Sequence, residues 1–330
     1  MAANYWASTQ HKYWRFTQEQ LAAMRQSLED EDPTPVQAYP LPQQRHLNIF
    51  FNQQINRLAK RLSIRQQCLA TAQMYIKRFY LKVEIRRTNP YLVMATAVYL
   101  ACKMEESPQH IRMIVSEARQ LWGHELQQLD TSKLGECEFF LISEMNSHLI
   151  IHQPYRTLTS LPSEIALSPE ESSLAWSVIN DHYMTDLPLI HPPHIIALTA
   201  ILLAIVLRPS PAGSGGNNQA AGVATAASML VQAQQSQARR RTSGTLTPGG
   251  SQGSSEQYPS DSPAEKKPSD PRMSKVVRFA AFLADSTFDI EAMIDTTQEI
   301  LTFYECHEQF NAKLTQDQIS RYVKARSLDK

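Results

Sequence analysis

Apolar positions along the chain recur at helical spacing and almost never alternate in twos. Leu47, Phe51, Ile55, Leu58 and Leu62 follow one another at steps of four, four, three and four. That spacing lays them in one stripe along a helix. Leu69, Ala72, Ile76, Phe79 and Val83 repeat the pattern on the next segment. Asn89-Pro90 then predicts a helix start, with Asn as the cap and Pro at the first helical position, where its missing N–H leaves no bond unmade. The segment it opens, Tyr91 to Met104, is apolar nearly all round, the pattern of a central helix enclosed by others. Two further amphipathic stretches follow, about Gln109–Trp122 and Thr131–Asn146. The pattern predicts an all-α fold.

The same pattern occurs twice. Sliding the chain by 103 positions sets Asn89–Ala101 (NPYLVMATAVYLA) on Pro192–Ala204 (PPHIIALTAILLA). Pro90 falls on Pro193, Thr96 on Thr199, Ala97 on Ala200, Leu100 on Leu203 and Ala101 on Ala204. With no gap, the same offset sets Ala72 on Ala175, Ile76 on Ile179 and Tyr80 on Tyr183. Two copies are too few for a solenoid, so the repeat reads as a duplicated helical domain. Ser168-Pro169-Glu170-Glu171 supports a helix start in the second copy, with Ser as cap, Pro next and Glu at the third position.

After Leu207 the composition shifts. Residues 208–272 are rich in Ser, Gly, Gln, Ala and Pro, and eight of the ten glycines of the chain lie there. Such a segment buries too little apolar area to offset the entropy of ordering it, so it is expected to be a disordered insertion within the second copy. Helical spacing resumes at Val276–Leu283 and continues through Ile290, Ile294, Leu301 and Tyr304. The expected organisation is therefore an N-terminal helix and linker over 1–42 and a first repeat over 43–150. The second repeat follows over 151–310, interrupted at 208–272, and a polar tail over 311–330 is expected to form a peripheral helix.

Charge and chemistry narrow the function classes. The 330 residues carry 32 Lys and Arg against 32 Asp and Glu, a net charge of +0. No global basic field is present to hold phosphates. Cys68, Cys102, Cys137 and Cys306 lie far apart, each in a helical pattern, which predicts reduced thiols rather than a zinc site or disulfide framework. The N-terminus lacks the apolar core of a signal peptide. The longest apolar run, Ile195–Leu207, is shorter than the roughly 20 residues a membrane span needs. No glycine-rich phosphate loop, GxSxG, HExxH or CxxC occurs. His148 and His152 sit four apart without an acidic or thiol partner for a metal. The carboxylates of Glu105-Glu106 diverge on a helix and cannot work as an acid and base couple. Neither catalytic residues, nor a metal, nor a cofactor is expected.

Three segments carry a resemblance: RQQCLATAQMYIKRFYLK, NPYLVMATAVYLACKMEE and LGECEFFLISEM. In order and spacing they resemble the central helices of the cyclin box, and the duplication fits a family that pairs two five-helix repeats. NYWASTQ, HQPYR, LAWSVINDHYMTDLPLIHPPHIIAL and LTFYE place the resemblance with the cyclin C type, in its fungal form. It covers most of 1–207 and 273–310, with the insertion as the main departure. RHLNIFF stands where cell-cycle cyclins carry an MRAIL-like substrate-docking stretch, so docking through that patch is not implied.

The resemblance implies a nuclear regulatory subunit that binds and activates a transcriptional cyclin-dependent kinase of the Mediator kinase module. Other module subunits would be partners, with transcription by RNA polymerase II activated or repressed as the result. No direct nucleic-acid or membrane contact is implied. A cyclin-fold general transcription factor that binds promoter DNA is the alternative, as is another transcriptional cyclin of the H or T type. From spacing alone Lys103 and Glu136 are an ordinary surface pair; the resemblance implies that they grip the kinase. Tyr75, Phe79 and Tyr80 flank that region as anchors or as core. Trp6, Glu106, Trp176, Asn180, Asp181 and Tyr304 are candidates for a groove that takes another Mediator subunit, with core packing the other reading of Trp176. Ser210, Thr247 and Ser262, each before a proline, are candidate phosphorylation sites.

Overall fold

The computed structural model describes residues 4–126, 128–161, 165, 167–207, 228–229, 231–240 and 271–328, and every regular element among them is a helix. After a single 3-10 turn at Tyr5–Ala7, the helices are α1 (Thr9–Tyr13), α2 (Gln18–Glu31), α3 (Pro33–Ala38), α4 (Gln44–Arg61) and α5 (Gln66–Phe79). Next come α6 (Pro90–Met104), α7 (Ile111–Trp122), α8 (Thr131–Glu144), α9 (Tyr155–Ser160) and α10 (Pro169–His182). The chain ends through α11 (Leu187–Ile190), α12 (Pro193–Leu207), α13 (Pro271–Asp285), α14 (Ile290–Glu308) and α15 (Ala312–Ala325). The internal repeat reaches the helix ends. Shifted by 103, α5 coincides with α10 and α6 with α12, first residue to last. The caps behave as the residues predict: Asn89 Oδ1 accepts from the Tyr91 amide at 3.0 Å, and Ser168 and Glu171 exchange both bonds of a capping box.

By compactness the residues fall into two units, one of Met1–Pro154, Ile179–Ile196 and Thr296–Lys330, the other of Tyr155–Val178 and Ala197–Asp295. In the first, α6 is the central helix, with α4, α5, α7 and α8 against it. Tyr91, Met94, Ala95, Ala97, Val98 and Ala101 of α6 are all buried, and its alanines let the neighbours approach closely. A buried polar tie crosses this core, the Trp122 indole donating to Gln54 Oε1 at 2.9 Å. Two terminal segments complete it. Trp14 is core rather than surface. Its indole donates to His148 Nδ1 at 3.1 Å, and the Arg78 guanidinium lies 4.9 Å from its ring centroid. The tail forms a helix as expected but is not peripheral: Ile319, Tyr322 and Val323 of α15 are fully buried in the same core. Their spacing, with Thr315, makes one apolar stripe that the polar composition conceals.

A polar knot secures α2 and the 179–196 stretch within this unit. Arg25 donates to both oxygens of Asp186, at 2.8 and 2.9 Å, and Asn48 donates to Oδ1 at 3.0 Å. Burial works to raise the Asp186 pKa, but Lys77, Arg25 and these bonds hold it below its ordinary 3.8. His182 is buried beside the knot, its Nδ1–H donating to the Ile179 carbonyl. Burial pushes its pKa down to about 3, with the Lys77 charge acting the same way.

In the second unit Lys275 Nζ donates to both oxygens of buried Glu171, at 2.8 and 2.6 Å, which ties α13 to the first turn of α10. Within the expected insertion, residues 231–240 are helical. Gln237 Nε2 there donates to the carbonyls of Leu283, Ser286 and Phe288, at 2.7, 3.1 and 3.3 Å, and so binds the end of α13 and the turn after it.

Four helices end in a way the sequence does not advertise. Ser63, Glu106, Asn146 and Ser327 follow α4, α6, α8 and α15 with φ between 50 and 53°. In each case the next amide closes back on a carbonyl five residues earlier, as Ser107 N does on Cys102 O at 2.9 Å. This is the Schellman turn, where glycine is the usual residue. An L side chain in that conformation costs about 1 to 2 kcal/mol.

Replacing Ser63 by Gly is therefore expected to stabilise the protein by about 0.5 to 1 kcal/mol, the relief of strain outweighing the added chain entropy; a rise in the urea midpoint checks it. The pH dependence has a definite sign. His182 is neutral when folded and binds a proton more readily when unfolded, so its contribution to stability is full above its ordinary 6.5 and falls away towards about 3. Asp186, held low, adds its own loss as pH drops below its ordinary 3.8. Unfolding midpoints should fall steadily through the acid range, and His182→Gln should flatten the upper part of that fall.

Candidate functional site

The last turn of α6 leaves the core, and two residues there differ from the rest of that helix. Lys103 and Met104 are exposed, Met104 by 39 %. Lys103 extends over the Tyr99 ring, 4.5 Å from its centroid, and its ammonium pairs with Glu138 of α8. Most of the charge on Glu138 is shielded, since its side chain is only 12 % exposed against 38 % for Lys103. Such a half-shielded pair is worth more than a solvent-borne one and keeps spare donors on the lysine for a partner.

The expected partner of Lys103 was Glu136, and here the structure corrects the pairing. Leu134, Cys137 and Leu141 point α8 into the core. Glu138 sits beside that stripe, whereas Glu136 is two residues back, about 200° around the helix, and exposed. Tyr75, Phe79 and Tyr80 resolve to core. All three are buried, the Tyr75 hydroxyl donating to Leu149 O at 2.7 Å and Tyr80 stacking on Phe51 at 5.5 Å. None of them is exposed beside Lys103.

The apolar anchors are others. Phe139, next to Glu138, is 76 % exposed, and Phe140 beside it is 41 % exposed with its ring edge-on to Phe79 at 5.3 Å. A phenylalanine so far outside the core is informative because leaving it in water forgoes about 1.5 to 3 kcal/mol of burial. The site is thus a shielded ion pair with an exposed apolar side chain following each member, Met104 after Lys103 and Phe139 after Glu138. The chain does carry the signal. The α8 stripe of Leu134, Cys137, Leu141 and Met145 leaves Phe139 on the outer face.

The residues of the expected groove are placed as follows. In the first unit the Tyr304 hydroxyl donates to Asp181 Oδ2 at 3.0 Å, and burial raises the pKa of each. Gln66 Nε2 donates to Asn180 Oδ1 at 3.0 Å. Trp6 is exposed in the first turn, with His11 and His194 rings 5.1 and 5.3 Å away. Glu106 is exposed in the turn after α6. Trp176 belongs to the second unit, where it packs on Tyr155 at 4.5 Å. Ser210, Thr247 and Ser262 lie outside the described residues. Among the described residues no cluster of His, Cys, Asp or Glu could hold a metal, no helix is long and apolar enough to cross a membrane, and Cys68, Cys102 and Cys137 are buried free thiols.

Comparison with known proteins bears on this site directly. Residues 14–150, which include it whole, match the family model described as "Cyclin, N-terminal domain". Over full length the chain is 61% identical to a Neurospora crassa protein named "RNA polymerase II holoenzyme cyclin-like subunit", with 100% of both chains covered. A Chaetomium globosum protein of the same name is 60% identical, again with 100% of both covered. In shape the chain is similar to one in the structure of the CAK complex from Chaetomium thermophilum bound to ATP-gamma-S, with a TM-score of 0.55 at 17% identity. That match covers 97% of this chain and 88% of the other, and the likeness is one of fold.

Proposed function

The chain belongs to the cyclin family, and we propose that it is a cyclin of the C type that binds and activates a transcriptional cyclin-dependent kinase of the Mediator kinase module, in the nucleus. One observation carries this reading: the Lys103–Glu138 pair set between exposed Met104 and Phe139 on the matched domain. The names of the full-length relatives supply the transcriptional setting.

A kinase of this class is inactive while the helix that carries its catalytic glutamate is rotated out, because the Lys–Glu pair that positions ATP is then broken. A second protein corrects this only if it binds the rotated-in helix better than the rotated-out one. The site has the parts for that. Lys103, oriented by Glu138, donates to carbonyls at an approaching helix end, where the helix dipole also favours a cation. Phe139 and Met104 supply apolar area that only a well-placed partner covers. Enclosed α6 and α8 packed against it hold these groups rigid, so the free energy of binding goes into the kinase rather than into ordering the cyclin. The remaining module subunits would meet other surfaces, with Trp6, Asn180, Asp181, Tyr304 and Glu106 as candidates in the first unit and Trp176 in the second.

With the kinase that co-purifies with this chain, Lys103→Glu combined with Glu138→Lys is expected to abolish activation of peptide phosphorylation without unfolding. Phe139→Ala should weaken the complex about tenfold or more, as an exposed anchor does when truncated. Glu136→Gln should change activation far less than Glu138→Gln. Wild-type activation by the Phe139 and Lys103 variants, with folding intact by circular dichroism, would refute the assignment of this face.

A further inference from the structure

A cleft in the first unit, between α4 and α5, shares no residue with the Lys103–Glu138 site. Its lining combines apolar Phe51, Ile55 and Ile76 with polar Asn52, Gln73 and Lys77, and it opens to solvent. The space inside is about 20 Å³ for a water-sized group, room for one water or the tip of one carboxylate.

The polar groups there are left unanswered. Lys77 is 8 % exposed, yet among the described residues its ammonium makes no hydrogen bond and no ion pair. The carboxylate whose field it feels, Asp186, accepts instead from two Arg25 donors and Asn48. The next carboxylate, Glu299, is paired with Arg45 at 2.8 Å, and His182 is held neutral. Arg25 and Lys77 therefore share one anion, which leaves one positive charge in excess. Asn52 and Gln73 are each 4 % exposed. Asn52 Oδ1 accepts from Asn56 Nδ2 at 2.6 Å, which fixes the amide and leaves the buried Nδ2 donor without a partner. Gln73 Oε1 is likewise buried and unpartnered. A bridging water would satisfy the amides, whereas an acidic side chain would answer the amide donor and the excess charge together.

We propose that this cleft receives the side-chain carboxylate of an aspartate or glutamate from a partner protein. Lys77 and Asn52 act as the donors, and Phe51 and Ile76 flank the aliphatic stem. The space admits a carboxylate and little else. A free small acid would have this one ion pair to set against the cost of immobilisation, whereas a protein segment adds the contacts of its neighbouring residues.

Carbodiimide coupling tests this on the assembly purified through the full-length chain. The reagent activates a carboxylate, a touching amine displaces it to form an amide, and the carbodiimide leaves as its urea. The expected product is a peptide that joins Lys77 to an Asp or Glu of another chain, mapped by mass spectrometry. Lys77 coupled only to Asp186, or left unmodified while surface lysines couple, overturns the proposal. Lys77→Met should weaken retention of that partner at least about tenfold. Asn52→Asp supplies a carboxylate from within, so it should raise the melting temperature of the free chain while releasing the partner. Partner retention at wild-type strength by the Asn52 variant, or saturation of the Lys77 resonance by acetate alone with no partner coupled, would overturn it as well.

Discussion

Enclosure of α6 is the constraint on which the rest of the first unit depends. A helix that is apolar on every side has no stable place in water except inside a ring of others. Here α4, α5, α7 and α8 provide the ring. Its alanines, buried along α6, let these neighbours pack closely. The side chains that touch it inherit its rigidity, because a close-packed interior resists displacement of any one member. Lys103 and Met104 belong to the one turn that escapes. Their backbone is therefore fixed by the core behind them, and Glu138 and Tyr99 orient the lysine side chain.

Polar groups in this unit divide into those that close the structure and those left open. The Arg25–Asp186–Asn48 knot gives both carboxylate oxygens a donor and holds α2 down. Gln54, Trp14 and Tyr75 each find a partner. Most buried polar atoms in folded proteins do so, which makes the exceptions informative. Lys77 with Asn52 and Gln73 is one exception, and the exposed pair of phenylalanines on α8 is its apolar counterpart. One is a cation that shares its anion with Arg25 and the other an apolar surface without cover, and both describe what a partner would have to supply.

Most of the helices, the duplication and the central position of α6 were legible along the chain. So were the caps at Asn89 and Ser168, since hydrophobic period, proline and cap residues act over four residues or fewer. The left-handed turns after α4, α6, α8 and α15 were hidden, because serine, glutamate and asparagine occupy positions that glycine usually marks. The tail was misjudged as peripheral for a related reason. Polar residues dominate the composition of α15, and only the angular spacing of Ile319, Tyr322 and Val323 shows that one narrow face is apolar.

The sequence by itself determined that the protein is helical and carries its central helix pattern twice, and its motifs pointed to the family. Those properties reside in local spacing and in residue types. Tertiary structure alone decided which carboxylate Lys103 meets, because Glu136 and Glu138 differ by two places in the chain but by more than half a turn of helix. It also decided that Tyr75 and Tyr80 are interior. Burial depends on what packs against a face, and the chain order of one helix carries no record of its neighbours.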